Sequence, residues 1–530
     1  MADPRLPGMR TVVIAPGPTA NGDLHLGHLA GPFLAADVCV RFARASGQEV
    51  LFGTGIHSTQ NYIVTTARRL GVDPETLRAT SADQVEESLA VIGIEADAFV
   101  RFDEDYVKTV VGFFDRLHAS GALRLRTVPL PWSRTTGEFL TDAYVRGGCP
   151  VCLADGCAGL CEGCGHWVAP GALIDPRSTL QPDDVVELRD AELLVLPVEE
   201  HRAGLEEHFA RLAPTMRPRL ARMIAEMLAR PLPDYPITLP IAWGIPAPFP
   251  ETPGQVLYSD AETIAWSMHA TALAARRRGA VLAADDEPWY SDAGSRVVYF
   301  FGSDASYAFA VVGTALLLAL GGYVLPEQFV TNEFYELDND KFSTSRGHLV
   351  SGRELSAEVP RDVVRYYLAA TAPEFQRSNF TRAAMARVTD QRLVAPWNRV
   401  AAAVTALTGP DPLQLPVTAA GRAAARLMVD RFGGAYDVRW FSLTAAAFTL
   451  TEQLARLDTL AAELTSAVEP AVEPDRAGDF CYQVEVFLRC AAPLLVDLAA
   501  RALPDSTIPR TPDGTTVTAR PLPGFTGTGG

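Results

Sequence analysis

Two histidines three residues apart, in His25-Leu26-Gly27-His28, and a lysine heading Lys341-Phe342-Ser343-Thr344-Ser345 carry the most distinctive chemistry of this chain. Imidazoles at i and i+3 share one helix face and can donate to phosphate oxygens or to a ribose. Backbone amides at a helix start favour an anion there. Alone, such an HxxH serves as readily as a partial metal site or a helix cap. Lys341 sharpens the reading, because Lys108 and Lys341 are the only lysines among 46 basic residues. A compact ammonium on a Ser/Thr-rich loop meets a phosphate as a point charge, where a forked guanidinium demands a different geometry. Chance survival is the plain alternative, and Lys108, on what reads as a helix surface, is an example of it. Together the two segments can converge on one triphosphate, neutralising charge as the α-phosphate is attacked and pyrophosphate leaves.

A second constellation is metal-binding in type. Cys149-x-x-Cys152 and Cys161-x-x-Cys164 are two CxxC pairs in one short stretch, and Gly147, Gly148, Gly163 and Gly165 permit the tight turns that gather four thiolates. Zinc is the natural occupant. Four thiolate ligands leave no open position, so the metal is assigned to architecture and not to chemistry. Cys157 and His166 lie close enough in sequence to exchange into the set, with Cys157 read as a spare. Disulfides are the competing reading, and an intracellular setting speaks against them.

These residues need elements to hold them. A chain of 530 residues with 48% hydrophobic content can bury large cores and divides into several domains. Arg10 to Ala15 reads as a short apolar strand, Pro16, Gly17, Pro18 and Gly22 enforce a loop, and Leu26 to Arg44 reads as a helix. Glu49 to Gly53 and Ala98 to Phe102 supply further strands, with Ala82 to Ile94 helical between them. From Arg124 to about Pro240 the pattern breaks into cysteines, prolines and short strands. Val256 to Tyr258 and Val297 to Phe301 then resume the sheet. Tyr307 to Pro326 carries no charge and is long enough to span a bilayer, but it follows a strand and has no basic flank, so it reads as a buried helix. Beyond Pro360, apolar positions at three-to-four spacing predict a helical bundle to about Leu503, and Pro504 to Gly530 reads as a loosely held tail.

The net charge of −17 argues against broad capture of nucleic acid, so DNA is not an expected partner, although a local basic face remains open. No membrane is expected either. Met1 to Arg10 has no apolar core of signal-peptide length, which predicts a cytoplasmic protein.

The ordered motifs resemble class I aminoacyl-tRNA synthetases, and among them the methionyl-tRNA synthetases, over roughly residues 10 to 505. Ala20-Asn21-Gly22-Asp23-Leu24-His25-Leu26-Gly27-His28 is similar to the family's first signature and Lys341 to Gly347 to its second. Trp243-Gly244-Ile245-Pro246, Phe301-Gly302-Ser303-Asp304 and the CxxC pairs match in the family's order. The resemblance implies an α/β fold, a Rossmann-type doubly wound parallel sheet split by a zinc-knuckle connective insertion and followed by an α-helical bundle. It divides the chain into catalytic halves at 8–120 and 241–350, an insertion at 121–240, a stem and bundle at 351–505 and a flexible tail at 506–530. It also implies activation of an amino acid to an acyl-adenylate by ATP with magnesium, and a structural zinc. His25, His28 and Lys341 take the catalytic role, and Asn21, Gly27, Asp304, Lys341, Ser343 and Ser345 bind the nucleotide.

The departures fall on substrate-reading positions of the implied pocket, which includes Pro16 and His57. Thr19 stands where the family has a tyrosine, and Phe309 and Gly313 where it has a histidine and a tryptophan. Gly55 occupies the place of the aspartate that meets the substrate ammonium, which leaves Asp260 or Glu262 as the expected substitute. Thr344 replaces the second signature lysine. In the bundle Arg399 survives, but Ala395 replaces the anticodon-reading asparagine, and the later helix around Leu457 to Glu463 has neither proline nor tryptophan. Trp397 could stack on a base, though an Ala-rich helix ordinarily buries its one aromatic. The sequence therefore predicts an adenylate-forming enzyme diverted from decoding, passing its acyl group to a small hydroxyl or amine acceptor. It is similar in this to the synthetase-like halves of hydrazine-forming enzymes of specialised metabolism, which act beside a cupin; no cupin-like cluster occurs in the chain, so such a partner would be separate. A methionine-tRNA ligase with an atypical pocket, acting on tRNA, and a non-catalytic RNA-binding relative are the alternatives.

Overall fold

The computed structural model describes residues 10–181, 183–342, 349–466, 473–505, 507–508 and 513–525, with the side chains of Lys341 and Ser466 outside that description. Ser343 and Ser345 therefore lie outside the described residues. The backbone clusters into two units. One comprises Met1–Asp23, Leu51–Glu87 and Ala96–Thr331, and the other Leu24–Val50, Ser88–Glu95 and Asn332–Gly530.

The first unit is built on a five-stranded sheet in the order Gln328–Asn332, Ser295–Gly302, Arg10–Ile14, Val50–Gly55, Ala98–Val100. Arg10–Ile14 runs parallel to Ser295–Gly302, pairing Val12 with Val297 and Val13 with Val298, and Val50–Gly55 runs parallel to Ala98–Val100. These strands are apolar runs without alternation because both faces are covered. Val12, Ile14, Val297, Tyr299 and Phe301 join one core with Phe113, Trp266, Val311 and Leu316. Strand order reverses between Arg10–Ile14 and Ser295–Gly302, so the crevice for a ligand opens past their carboxyl ends, at the loops holding Pro16 to Asn21 and Ser303 to Asp304.

The uncharged stretch from Tyr307 is buried helix, Gly313–Leu320 being its regular part. Among the described residues no helix is long and apolar enough to cross a membrane. Val256–Leu257 does not resume the parallel sheet: it pairs with Thr238–Leu239 in a separate antiparallel ribbon. Two apolar residues carry no signal of which sheet they will join. The helix expected from Ala82 begins at Pro74 and runs to Val91, its start fixed by Asp73, whose carboxylate accepts from the Thr76 amide at 2.9 Å.

The second unit is mainly helical, with Arg361–Ala370, Ala395–Thr408, Ala419–Tyr436, Leu443–Ser466 and Pro474–Ala491 as its long members. Its polar centre is Arg365, which is 0% exposed. The guanidinium donates to Asp37 Oδ2 at 2.6 Å and to the carbonyls of Pro493, Leu494 and Ile92 at 2.7, 3.0 and 3.1 Å. A buried cation requires this degree of satisfaction. Trp397 is core and not a free stacking platform: it is 0% exposed and donates from Nε1 to the Pro523 carbonyl at 2.9 Å. Within the segment expected to be a loose tail, Thr516–Ala519 forms a strand with Leu413–Pro416, because Val517 and Ala519 alternate into the core while Thr516 and Thr518 face out.

Candidate active site

In the second unit the two signature segments meet. His25 caps the helical turn Leu26–His28, its Nδ1 accepting from the Gly27 amide at 3.1 Å, and His28 Nδ1 accepts from the His25 amide at 3.4 Å. Accepting at Nδ1 places the proton of each neutral ring on Nε2, where it can be donated to an oxyanion. The rings stack with centroids 3.9 Å apart. A Cβ on Gly27 would come within 3.0 Å of the His25 ring, so glycine is what lets the imidazole fold back onto its own turn. Phe342 stacks on His25 at 4.7 Å with the planes 8° apart. Further along the chain Val350 meets the same turn, its carbonyl accepting from the Leu26 amide at 3.1 Å. The backbone of Lys341 pairs with Glu336 in a short antiparallel ribbon.

The predicted amino-acid pocket lies in the first unit. The loop after Arg10–Ile14 packs hard on the end of Val50–Gly55: a Cβ on Gly17 would fall 2.2 Å from the Gly55 carbonyl oxygen, and one on Gly55 would fall 2.4 Å from the Val100 backbone. No side chain fits at position 55, so an acidic group must come from elsewhere. Pro18 accepts from the His57 amide at 2.8 Å, and Thr19 bridges to His57. His57 Nε2 lies 2.9 Å from the Ser259 carbonyl, and burial lowers its pKa against the opposing pull of Asp260. Asn21 Nδ2 reaches the Thr66 hydroxyl at 3.5 Å, and Asp304 occupies the turn after Ser295–Gly302.

Asp260 and Glu262 are both buried here and hold different partners. Glu262 Oε2 accepts from Tyr106 at 2.6 Å and Thr59 at 2.9 Å, and burial pushes its pKa up to about 8. Asp260 accepts from Gln60 Nε2 at 2.8 Å, while Gln60 Oε1 takes the Thr19 hydroxyl proton. Tyr258 Oη lies 3.3 Å from Asp260 Oδ2 and 3.0 Å from Asp142 Oδ1. Asp142 is a residue that sequence reasoning missed. It sits in the insertion at φ 44°, a left-handed conformation, and burial and then Asp260 raise its pKa to about 7. A lone aspartate in an irregular stretch offers no signal that it will fold back on a site 118 residues later. Phe309 is packed against Phe301 and Tyr299 at 5.4 and 5.8 Å between centroids, and a Cβ on Gly313 would come 3.0 Å from Ile264. A side chain at position 313 would press on the terminal methyl of Ile264.

The four cysteines of the two CxxC pairs come together, with Sγ atoms within 4.8 Å of one another. Cys149 and Cys164 are 3.8 Å apart and Cys152 and Cys161 3.7 Å. A Zn–S bond of about 2.3 Å gives a tetrahedron edge of about 3.8 Å, so the donor set and its spacing fit a structural zinc. No disulfide forms among the described cysteines. Cys157 stands outside the cluster and accepts from the Tyr62 hydroxyl.

Residues 11–404 match the family described as tRNA synthetases class I (M). The methionine-tRNA ligase of Bacteroides fragilis is 31% identical over 376 residues, 70% of this chain and 54% of that protein, so the chain spans about half that relative's length. The methionine-tRNA ligase of Roseiflexus sp. (strain RS-1) is 30% identical over 401 residues, covering 74% and 67%. In fold the chain is similar to the Mycobacterium tuberculosis methionyl-tRNA synthetase bound by methionyl-adenylate, with a TM-score of 0.75 and 18% identity over 98% of this chain and 99% of that one. The match runs through both halves of the parallel sheet, the cysteine cluster and the first long bundle helix, and the chain belongs to the class I tRNA synthetase family, in its methionyl-type branch.

Proposed function

We propose that this chain activates an amino acid with ATP to an aminoacyl-adenylate and passes the acyl group to a small-molecule hydroxyl or amine. One carboxylate oxygen of the amino acid attacks the α-phosphorus, the bond to the β-phosphate oxygen breaks, and pyrophosphate leaves. By the resemblance, His25 and His28 donate from Nε2 to the phosphates, Lys341 neutralises charge on the leaving pyrophosphate, and Asp304 meets the adenosine, with Asn21, Gly27, Ser343 and Ser345 around the nucleotide. Magnesium would add positive charge at the phosphates. Zinc at the four cysteines would hold the connective insertion together without entering the reaction. The observation that carries this reading is the stacking of Phe342 on His25, which joins the two signatures at the capped turn of the first.

Transfer to a small acceptor rests on lost contacts: position 55 admits no aspartate, position 313 carries no side chain, and Trp397 is buried. A separate cupin-type protein is one partner such chemistry would suit. The alternative, a methionine-tRNA ligase, is favoured by the relatives' activities. Incubation with ATP, single amino acids and total tRNA separates the two. The proposed reading predicts adenylate without stable aminoacyl-tRNA, and efficient methionylation of tRNA would overturn the small-acceptor half of it.

A further inference from the structure

A cavity lies in the first unit, on the far side of a helix from Asn21. The helix Tyr62–Leu70 sets the Thr66 hydroxyl 3.5 Å from Asn21 Nδ2, while Val64 and Arg68, four residues apart and so on the opposite face, line the cavity. Its volume is about 580 Å³, within the roughly 300–1,000 Å³ of small-molecule sites. The aromatic rings of Trp132, Phe139, Tyr144 and Trp243 form much of its wall, and none of the residues assigned above to the amino acid or to ATP lines it.

Arg68 is exposed, and among the described residues no carboxylate pairs with it. Its charge is felt by the Tyr144 phenol, which places the guanidinium at the aromatic wall. Glu138, on the same rim, is exposed and stands apart from it, so an anion meets the cation without a competing ion pair. A helix C-terminus favours a cation in any case, which accounts for Arg68 alone and not for what lies beside it.

Two lining residues hold unused polar atoms. Trp243 Nε1 and Gln255 Oε1 are buried and make no hydrogen bond. The Gln255 amide is held in orientation, because Nε2 donates to the Glu192 carbonyl at 2.7 Å. An aliphatic ligand would fill the aromatic walls and leave both atoms empty. One spare donor and one spare acceptor beside flat rings suit a nucleobase, which stacks through its face and offers both kinds of group along its edge. The free guanidinium suits a phosphate.

We propose that this cavity binds one nucleoside monophosphate unit, its base stacked among Trp132, Tyr144 and Trp243 and its phosphate on Arg68, with Trp243 Nε1 and Gln255 Oε1 meeting the base edge. The unit is a free mononucleotide or the 3′ end of an RNA, which bring the same base and phosphate. The site is separate from the adenylate chemistry proposed above and does not depend on it.

The test is calorimetric titration of the full chain with AMP, CMP, GMP and UMP and with their nucleosides. At least one monophosphate should bind about tenfold or more tighter than its nucleoside, and Arg68→Ala should remove that advantage. Trp243→Phe, which keeps a ring and drops the N–H, should weaken nucleotide and nucleoside alike by about fivefold. Both variants should keep the wild-type melting temperature and the wild-type rate of amino-acid-dependent pyrophosphate exchange. No binding of any monophosphate, or wild-type affinities in both variants, would overturn the proposal. So would loss of exchange in parallel with loss of binding, which would put the nucleotide at the adenylate site. A wild type that exchanges no pyrophosphate yet binds nucleotide through Arg68 contradicts adenylate formation and leaves this site standing. Displacement of the nucleotide by total tRNA, but not by tRNA stripped of its 3′ overhang, supports the site with an RNA end as its source. A nucleotide that neither displaces supports it with a free ligand, and equal displacement by both contradicts a site for a single unit.

Discussion

Arg399 and Asp458 form a two-pronged ion pair, Nε donating to Oδ1 at 2.8 Å and Nη2 to Oδ2 at 2.6 Å. By the resemblance this arginine stands at an anticodon-reading position, and here one edge of its donor fork, Nε and Nη2, engages a carboxylate on the neighbouring helix Leu443–Ser466. A base reaching for that edge must displace the carboxylate of Asp458. Transcripts that differ only in the anticodon should therefore bind within about threefold of one another, as contacts to the backbone alone would dictate. A gel-shift titration checks this, and a loss of affinity of about a hundredfold on changing the triplet would contradict it.

Glu262 should leave a pH signature on stability. Burial raises its folded-state pKa from 4.5 to about 8, so between those values the folded chain holds a proton that the unfolded chain has released. Stability contributed by the protonated form is complete below the unfolded value and is lost as pH rises through about 8. Glu262→Gln keeps an acceptor for Tyr106 and Thr59 and removes the titration. Its melting temperature relative to wild type should climb from about pH 5 to about pH 8 and then level. A difference that stays flat across that window would show that Glu262 is charged throughout.

The cysteine cluster should behave as architecture. Cys149→Ser should abolish stoichiometric zinc by metal analysis and lower the melting temperature by roughly 5 °C or more, because metal binding free energy is folding free energy. Chelation of the wild type should produce the same shift. A variant that keeps its zinc would contradict the four-thiolate set.

The parallel sheet is legible in the residues, and what is not legible has a physical cause. Val12, Val297 and Phe301 read as central strands because sheets covered on both faces need uninterrupted apolar runs. His25 and Lys341 stand out by type and spacing, and the missing carboxylate at position 55 directs attention to Asp260 and Glu262, which the structure buries. Asp142 was invisible, since its place depends on a left-handed φ and on the return of an irregular insertion. Val256–Leu257 went to the wrong sheet for a similar reason: pairing partners are chosen by tertiary context, and two residues carry too little pattern to reveal it.

The central claim, that the chain forms an adenylate, is tested most directly by amino-acid-dependent exchange of labelled pyrophosphate into ATP, run across an amino-acid panel on wild type and Lys341→Ala. The account predicts exchange with at least one amino acid and its reduction by roughly a hundredfold or more in the variant, with the melting temperature unchanged, because the ammonium acts on charge that develops in the transition state. Absence of exchange with every amino acid in a folded, zinc-loaded wild type would contradict it.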